Sequence, residues 1–103
     1  FGYFRGSWTL RSDLLSDFVC RLLTHMDNKD AKRVDVRLRP EDEDMELLPW
    51  QDPEDFNPSY LTRALPFLPK SGAKPQWHHS QDYWEDKDEI PSVDLDGLEF
   101  VYR

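Results

Sequence analysis

Between Trp8 and Asp27 the residues Trp8, Leu15, Phe18, Val19, Leu22, Leu23 and Met26 recur at the spacing of one helix face. A helix of this length rises about 30 Å, as long as a small domain is wide, so the rest of the chain must arrange itself along it. Ser7 precedes the first helical residue and is expected to cap it by accepting from the free amides of the first turn, while Asp27-Asn28 supplies a stop. Leu10 and Leu14 widen the apolar stripe toward half the circumference. Such a helix needs more than one packing neighbour.

Composition bears on where those neighbours are. The apolar fraction is 38%, below the roughly 45–50% of globular chains. Four Trp, six Phe and four Tyr nevertheless stand in the sequence, an aromatic load that disordered segments lack. A thin core with many rings is explained if part of the packing surface belongs to a partner outside these residues. The chain begins at Phe1 rather than Met, which fits a piece of something longer. A net charge of -8 excludes a basic footprint for nucleic acid or anionic membrane. Cys20 is the one cysteine, so no internal disulfide forms, and a reducing, cytoplasmic setting is expected. There is no apolar run long enough for a transmembrane segment and no signal-peptide pattern.

Downstream, Val34, Val36 and Leu38 alternate with charged residues as in a short half-exposed strand ended by Pro40. The acidic run Glu41–Glu46 reads as a solvated loop. Asn57-Pro58 resembles an N-cap followed by Pro at the first helical position, with Phe56 stapled onto Leu61 and the helix ending before Pro66. Pro66, Pro69, Gly72 and Pro75 mark a loop, Ser80 to Lys87 a further helical turn, and Leu98, Phe100 and Tyr102 a closing strand. The expected class is α+β for the isolated fragment, with one long helix, short helices and a small antiparallel pairing. His78-His79 beside Asp82, Glu85 and Asp86 is a poor metal set, because adjacent histidines rarely face one ion, so no metal site is expected. Cys20 has no base beside it, and no catalytic residue is assigned.

The segment GYFRGSWTLRSDLLSDFVCRLLTHMD, Gly2 to Asp27, resembles the bacterial flavin-containing monooxygenases of the Baeyer-Villiger and related type, which carry a GYxxxSWTL(K/R) run leading into a helix that ends in an LLxHMD-like stretch. The resemblance continues in order through Phe56–Leu65, Leu68-Pro69-Lys70 with Gly72, Trp77, Gln81-Asp82-Tyr83 and Asp96–Phe100, which are similar to the family's C-terminal tail. Glu41–Glu46 has no counterpart in that pattern. The segment after Tyr83 is shorter and more acidic than the family's basic helix.

The resemblance implies an FAD- and NADPH-dependent enzyme in which the nicotinamide reduces the flavin, O2 adds at flavin C4a, and the peroxyflavin inserts one oxygen atom into a ketone or a soft N or S centre. In such a parent, residues 1–27 are the last loop and helix of an α/β Rossmann-like FAD-binding domain, and 28–103 are a C-terminal tail wrapping the enzyme core. The fragment's partners are then the rest of that enzyme and, through it, a small organic substrate. The family's last helix usually aims its N-terminus at the flavin pyrimidine edge, where free amides and the positive end of the dipole favour negative charge on the reduced ring. Ser7, Trp8 and Thr9 are therefore the expected flavin contacts. Arg11 joins them as a cation within the apolar arc near the helix's positive end, where it needs a partner: a carboxylate, a carbonyl or a cofactor group. The sequence holds neither GxGxxG fingerprint of such enzymes, so the fragment is expected to be inactive alone. The alternative is a free-standing acidic module that binds a protein partner through exposed aromatics.

Overall fold

The computed structural model describes Tyr3 and residues 6–103; Phe1, Gly2, Phe4 and Arg5, and with them most of the loop expected before the long helix, lie outside the described residues. In chain order the elements are α1 (Trp8–Asn28), β1 (Val34–Val36), β2 (Leu47–Leu48), α2 (Ser59–Ala64), β3 (Ser71–Gly72), α3 (Tyr83–Glu89) and β4 (Phe100–Tyr102), with 3-10 turns at Pro40–Asp42, Leu65–Phe67 and Pro75–Trp77. The α+β class holds, with two small antiparallel pairs, β1 with β4 and β2 with β3. The chain divides into two compact units, Phe1–Arg39 with Ser80–Arg103, and Pro40–His79.

The first unit is organised by α1. Its end is a Schellman closure: the Asp30 amide donates to the Asp27 carbonyl at 3.1 Å and the Ala31 amide to the Met26 carbonyl at 2.9 Å. That geometry needs a left-handed residue, and Asp30 takes it with φ 50°. Ala31 is buried beneath the turn. The chain then enters β1, paired with β4 in the register Val34↔Tyr102, Asp35↔Val101, Val36↔Phe100. Bonds from the Lys32 and Arg33 amides to the Arg103 carbonyl, and from the Arg37 amide to the Glu99 carbonyl, extend the ladder at both ends. The ribbon stops there, so Leu38, expected in the strand, remains outside it and exposed.

Arg21, His25 and Lys29, one turn apart along α1 and its C-cap, hold the segment that leads into β4. Arg21 donates to the Pro91 carbonyl and, at 2.8 Å, to the Val93 carbonyl. His25 Nε2 lies 3.1 Å and Lys29 Nζ 2.8 Å from Asp96 Oδ1. The Lys29 bond holds the Asp96 carboxyl below its ordinary range. Tyr102 closes the end by donating to the Leu95 carbonyl at 2.8 Å. Residues 11, 14, 18, 21, 22, 25 and 26 of α1 are the partly covered ones. No residue of α1 is buried, and Trp8, Leu15, Val19 and Leu23 form an exposed apolar stripe on an adjoining face.

The second unit contains a β2–β3 ladder with Leu47 opposite Gly72 and Leu48 opposite Ser71. Glycine is required at 72, because a Cβ there would lie 2.6 Å from Trp77 Cβ and 2.7 Å from the Met45 sulfur. Within the expected loop the chain makes only this two-residue strand, and Gly72 serves close packing there rather than a turn. The acidic run is also not simply solvated. Pro40–Asp42 winds into a 3-10 turn and buries Asp42, whose Oδ1 is 2.5 Å from Lys74 Nζ and whose Oδ2 accepts from Trp77 Nε1 at 2.9 Å. In α2 the cap position is Pro58 rather than Asn57, without a side-chain cap bond. The helical path continues through Pro66 as a 3-10 turn, which Pro tolerates near a helical start.

Candidate functional site

The first turn of α1 carries the residues singled out from the sequence. Ser7 stands at the cap position in extended conformation, with φ -69° and ψ 132°, yet makes no side-chain cap bond. Its hydroxyl pairs with Thr9 Oγ1 at 2.7 Å instead, and its carbonyl accepts from the Leu10 amide at 3.2 Å. The expected serine cap is thus absent: the hydroxyl has a neighbouring hydroxyl within reach and turns to it. Trp8 is 64% exposed. Thr9 is exposed as well. A helix start whose cap residue gives no side-chain acceptor, flanked by an exposed indole and two hydroxyls, presents donors and a positive dipole end.

Arg11 points the other way, toward α3. Its Nη1 donates to the Ser80 carbonyl at 3.0 Å, and Nη2 lies 3.6 Å from Asp86 Oδ2. The guanidinium also sits over the Tyr3 ring, 5.3 Å from its centroid. A carboxylate and a carbonyl of this chain therefore satisfy the partner requirement, and the side chain is largely covered rather than snorkelling.

Sequence reasoning assigned Tyr3 no role and weighed Asp86 only within a poor metal set, yet the two complete this network. Asp86 is 4% exposed and Tyr3 3%. The Tyr3 hydroxyl donates to Asp86 Oδ2 at 2.6 Å. Burial first, then this bond, raises the Tyr3 pKa well above the ordinary tyrosine value. Asp82, Glu85 and Asp86 form a continuous-looking acidic face in sequence, and nothing there singles out one of them. The structure separates them: Asp82 caps α3 by accepting from the Trp84 and Glu85 amides, Glu85 accepts from Ser80, and Asp86 turns inward.

The remaining candidates have local roles. In the second unit His79 stacks on Trp50 with centroids 4.7 Å apart, and His78 Nδ1 lies 3.5 Å from Ser71 Oγ. Among the described residues no three His, Cys, Asp or Glu side chains gather as a metal ion would require. An open groove along α1, lined by Asp17, Cys20, Arg21, Thr24, His25 and Leu95, has two of its polar walls, Arg21 and His25, engaged with the tail. No described helix is long and apolar enough to cross a membrane.

Comparison with known proteins places the chain. It is 42% identical over 103 residues to the FAD-containing monooxygenase EthA of Mycolicibacterium smegmatis, covering 98% of this chain and 20% of that protein. The EthA of Mycobacterium tuberculosis is 41% identical over 104 residues, covering 99% and 20%. A probable FAD-binding monooxygenase, AlmA, of an Acinetobacter species is 31% identical over 104 residues with the same coverage of 99% and 20%. No protein-family model and no solved structure matches. The chain spans about a fifth of the length of these relatives, and along nearly its whole sequence it belongs, as a segment, to the FAD-containing monooxygenases.

Proposed function

We propose that this chain works as the C-terminal part of a longer FAD-dependent, NAD(P)H-using monooxygenase that inserts one atom of O2 into a ketone or a soft N or S centre. Residues 1–27 then finish the FAD-binding domain and 28–103 wrap the enzyme core. The observation that supports this most is the start of α1, where Ser7 withholds its side chain from the first turn and Trp8 and Thr9 stand exposed. That arrangement suits the edge of a flavin. The residues present fit a contact with the ring, whereas the chain has no glycine-rich cradle for a pyrophosphate, so the cofactor's main hold lies in the other four-fifths of the polypeptide.

When bound, FAD would take up two electrons from NAD(P)H and, once reduced, react with O2. Ser7, Trp8 and Thr9 contribute donors and dipole to the side of the ring that becomes negative on reduction, which favours the reduced form. Arg11 belongs to this site as a positioning residue, since its guanidinium is engaged by Ser80 and Asp86.

The test is Thr9→Asp in the full-length enzyme. A carboxylate in the first turn of an isolated helix is stabilising, so folding is retained. Close to a ring that gains negative charge it opposes reduction, slowing flavin reduction by NADPH on the order of tenfold. Unchanged flavin content together with an unchanged reduction rate would overturn the placement. The 103 residues alone are expected to bind no FAD, and a stoichiometric flavin spectrum from them would refute the division of labour.

A further inference from the structure

Arg11 is held at the fourth residue of α1 by groups that a simple core would not need. Asp86 is nine-tenths buried, accepts from a buried phenol at 2.6 Å, and lies 3.6 Å from the guanidinium. A cation near the positive end of a helix is unfavourable, and a buried carboxylate is costly. Placed together they offset each other. The pair also brings one positive and one negative charge, both shielded from solvent, to the turn that presents Ser7, Trp8 and Thr9. Shielded charges act over longer distances than exposed ones.

We infer that Tyr3, Arg11 and Asp86 form a positioning network that both orients the first turn of α1 and sets the electrostatic potential at its tip, and thereby how readily a flavin held there accepts electrons. The inference rests on the flavin-facing reading of that turn. Asp86 tempers the positive tip, Arg11 reinforces it, and Tyr3 fixes the carboxylate without adding charge. Arg11 and Asp86 therefore act in opposite senses through one contact.

This opposition separates an electrostatic role from a structural one. In the full-length, FAD-loaded enzyme, Asp86→Asn keeps an acceptor for Tyr3 and removes the negative charge. It should raise the ratio of reduced to oxidised flavin at a fixed redox poise, on the order of threefold to tenfold. Arg11→Gln removes the positive charge and should lower that ratio by a similar factor. Tyr3→Phe leaves both charges and should leave the ratio within about twofold of the parent. Loosened packing would move Asp86→Asn and Arg11→Gln in the same direction, and that result, or no movement in either, overturns the network. If Asp86→Asn does not fold, Arg11→Gln against Tyr3→Phe still decides: equal shifts in the two refute the inference. Thr9→Asp reports on the underlying reading. A flavin that responds to Thr9→Asp but not to Asp86→Asn or Arg11→Gln sinks the network alone, whereas a flavin indifferent to all three sinks the reading with it.

Discussion

Each unit has one deeply buried aspartate, and the two are held differently. Asp42 in the second unit receives close bonds from Lys74 at 2.5 Å and from the Trp77 indole at 2.9 Å. Asp86 in the first receives one close bond, from Tyr3 at 2.6 Å, while its cation, Arg11, stays 3.6 Å away and donates instead to a carbonyl. Both join an aromatic donor to a cation on one carboxylate. Apolar burial is sparse around them: Tyr3, Ala31, Leu61 and Leu95 are the buried hydrophobics among the described residues. A chain this poor in core relies on polar pins to select one arrangement, at the cost of desolvating charge. Asp42 is a closed pin. Asp86 keeps its charge pair loose enough to leave a field at the tip of α1.

The largest expected effect breaks the closed pin. Asp42→Ala leaves the Trp77 N–H without its acceptor and strips Lys74 of its counter-charge. The lysine is 39% exposed and regains water, so the cost is about 3–4 kcal/mol, at the low end for a broken buried pair. Amide exchange across residues 40–79 measures it, and a loss below about 1 kcal/mol would show that the pin is dispensable. Asp86→Ala should cost less, about 2–3 kcal/mol, because one close bond is lost and Arg11 retains Ser80. The reverse order in the two variants would mean that the long Arg11 contact carries more than its geometry allows.

The two pins also differ in what the sequence discloses. The period of α1 is legible because seven apolar residues repeat over five turns, and the helix runs Trp8–Asn28, one residue past the expected Asp27. The alternation before Pro40 and at the C-terminus is legible too, although pairing between segments so far apart in the chain leaves no local mark. Asp42 and Asp86 were hidden for one reason: each stands among other acids, and burial depends on which way the backbone turns, which no periodicity reports. Ser7 was misread as a cap because cap propensity does not weigh a competing hydroxyl two residues on. Arg11 was legible as a cation in need of a partner, but its partner lay 75 residues away in sequence order. The apolar stripe of Trp8, Leu15, Val19 and Leu23, exposed here, is what a helix cut from a larger core would leave.

A milder perturbation uses the phenol that only the open pin contains. Burial and the bond to Asp86 hold Tyr3 protonated beyond the ordinary tyrosine value of 10.0. The folded state therefore binds a proton more tightly than the unfolded state, so this contribution is fully present below about pH 10 and is lost as pH rises further. Absorbance near 295 nm should show Tyr3 ionising late, as Tyr102 also does because burial raises it, with loss of the ordered signal of the first unit as Tyr3 ionises. The Trp77 donor at Asp42 has no such titration. If all tyrosines ionise in a single ordinary step, Tyr3 is not sealed against Asp86 as described.

The smallest expected effect lies at neither pin but at the end of the helix both ends of the first unit share. Asp30 adopts φ 50° to complete the Schellman closure, a conformation that costs most side chains about 1 kcal/mol and aspartate somewhat less. Its ion pair with Lys32 gives little back, since the two side chains are 94% and 85% exposed. Asp30→Gly removes the steric cost but adds backbone freedom to the unfolded chain, and these nearly cancel. The expected gain is about 0.5 kcal/mol or less, read as roughly a twofold slowing of exchange at the Ala31 amide, which bonds the Met26 carbonyl across the turn. Asp30→Val must move the other way by about 1–2 kcal/mol, because a β-branched side chain is worst placed in this region. A helix end indifferent to both changes would mean that the bonds from Arg21, His25 and Lys29 to the tail, not the backbone closure, terminate α1.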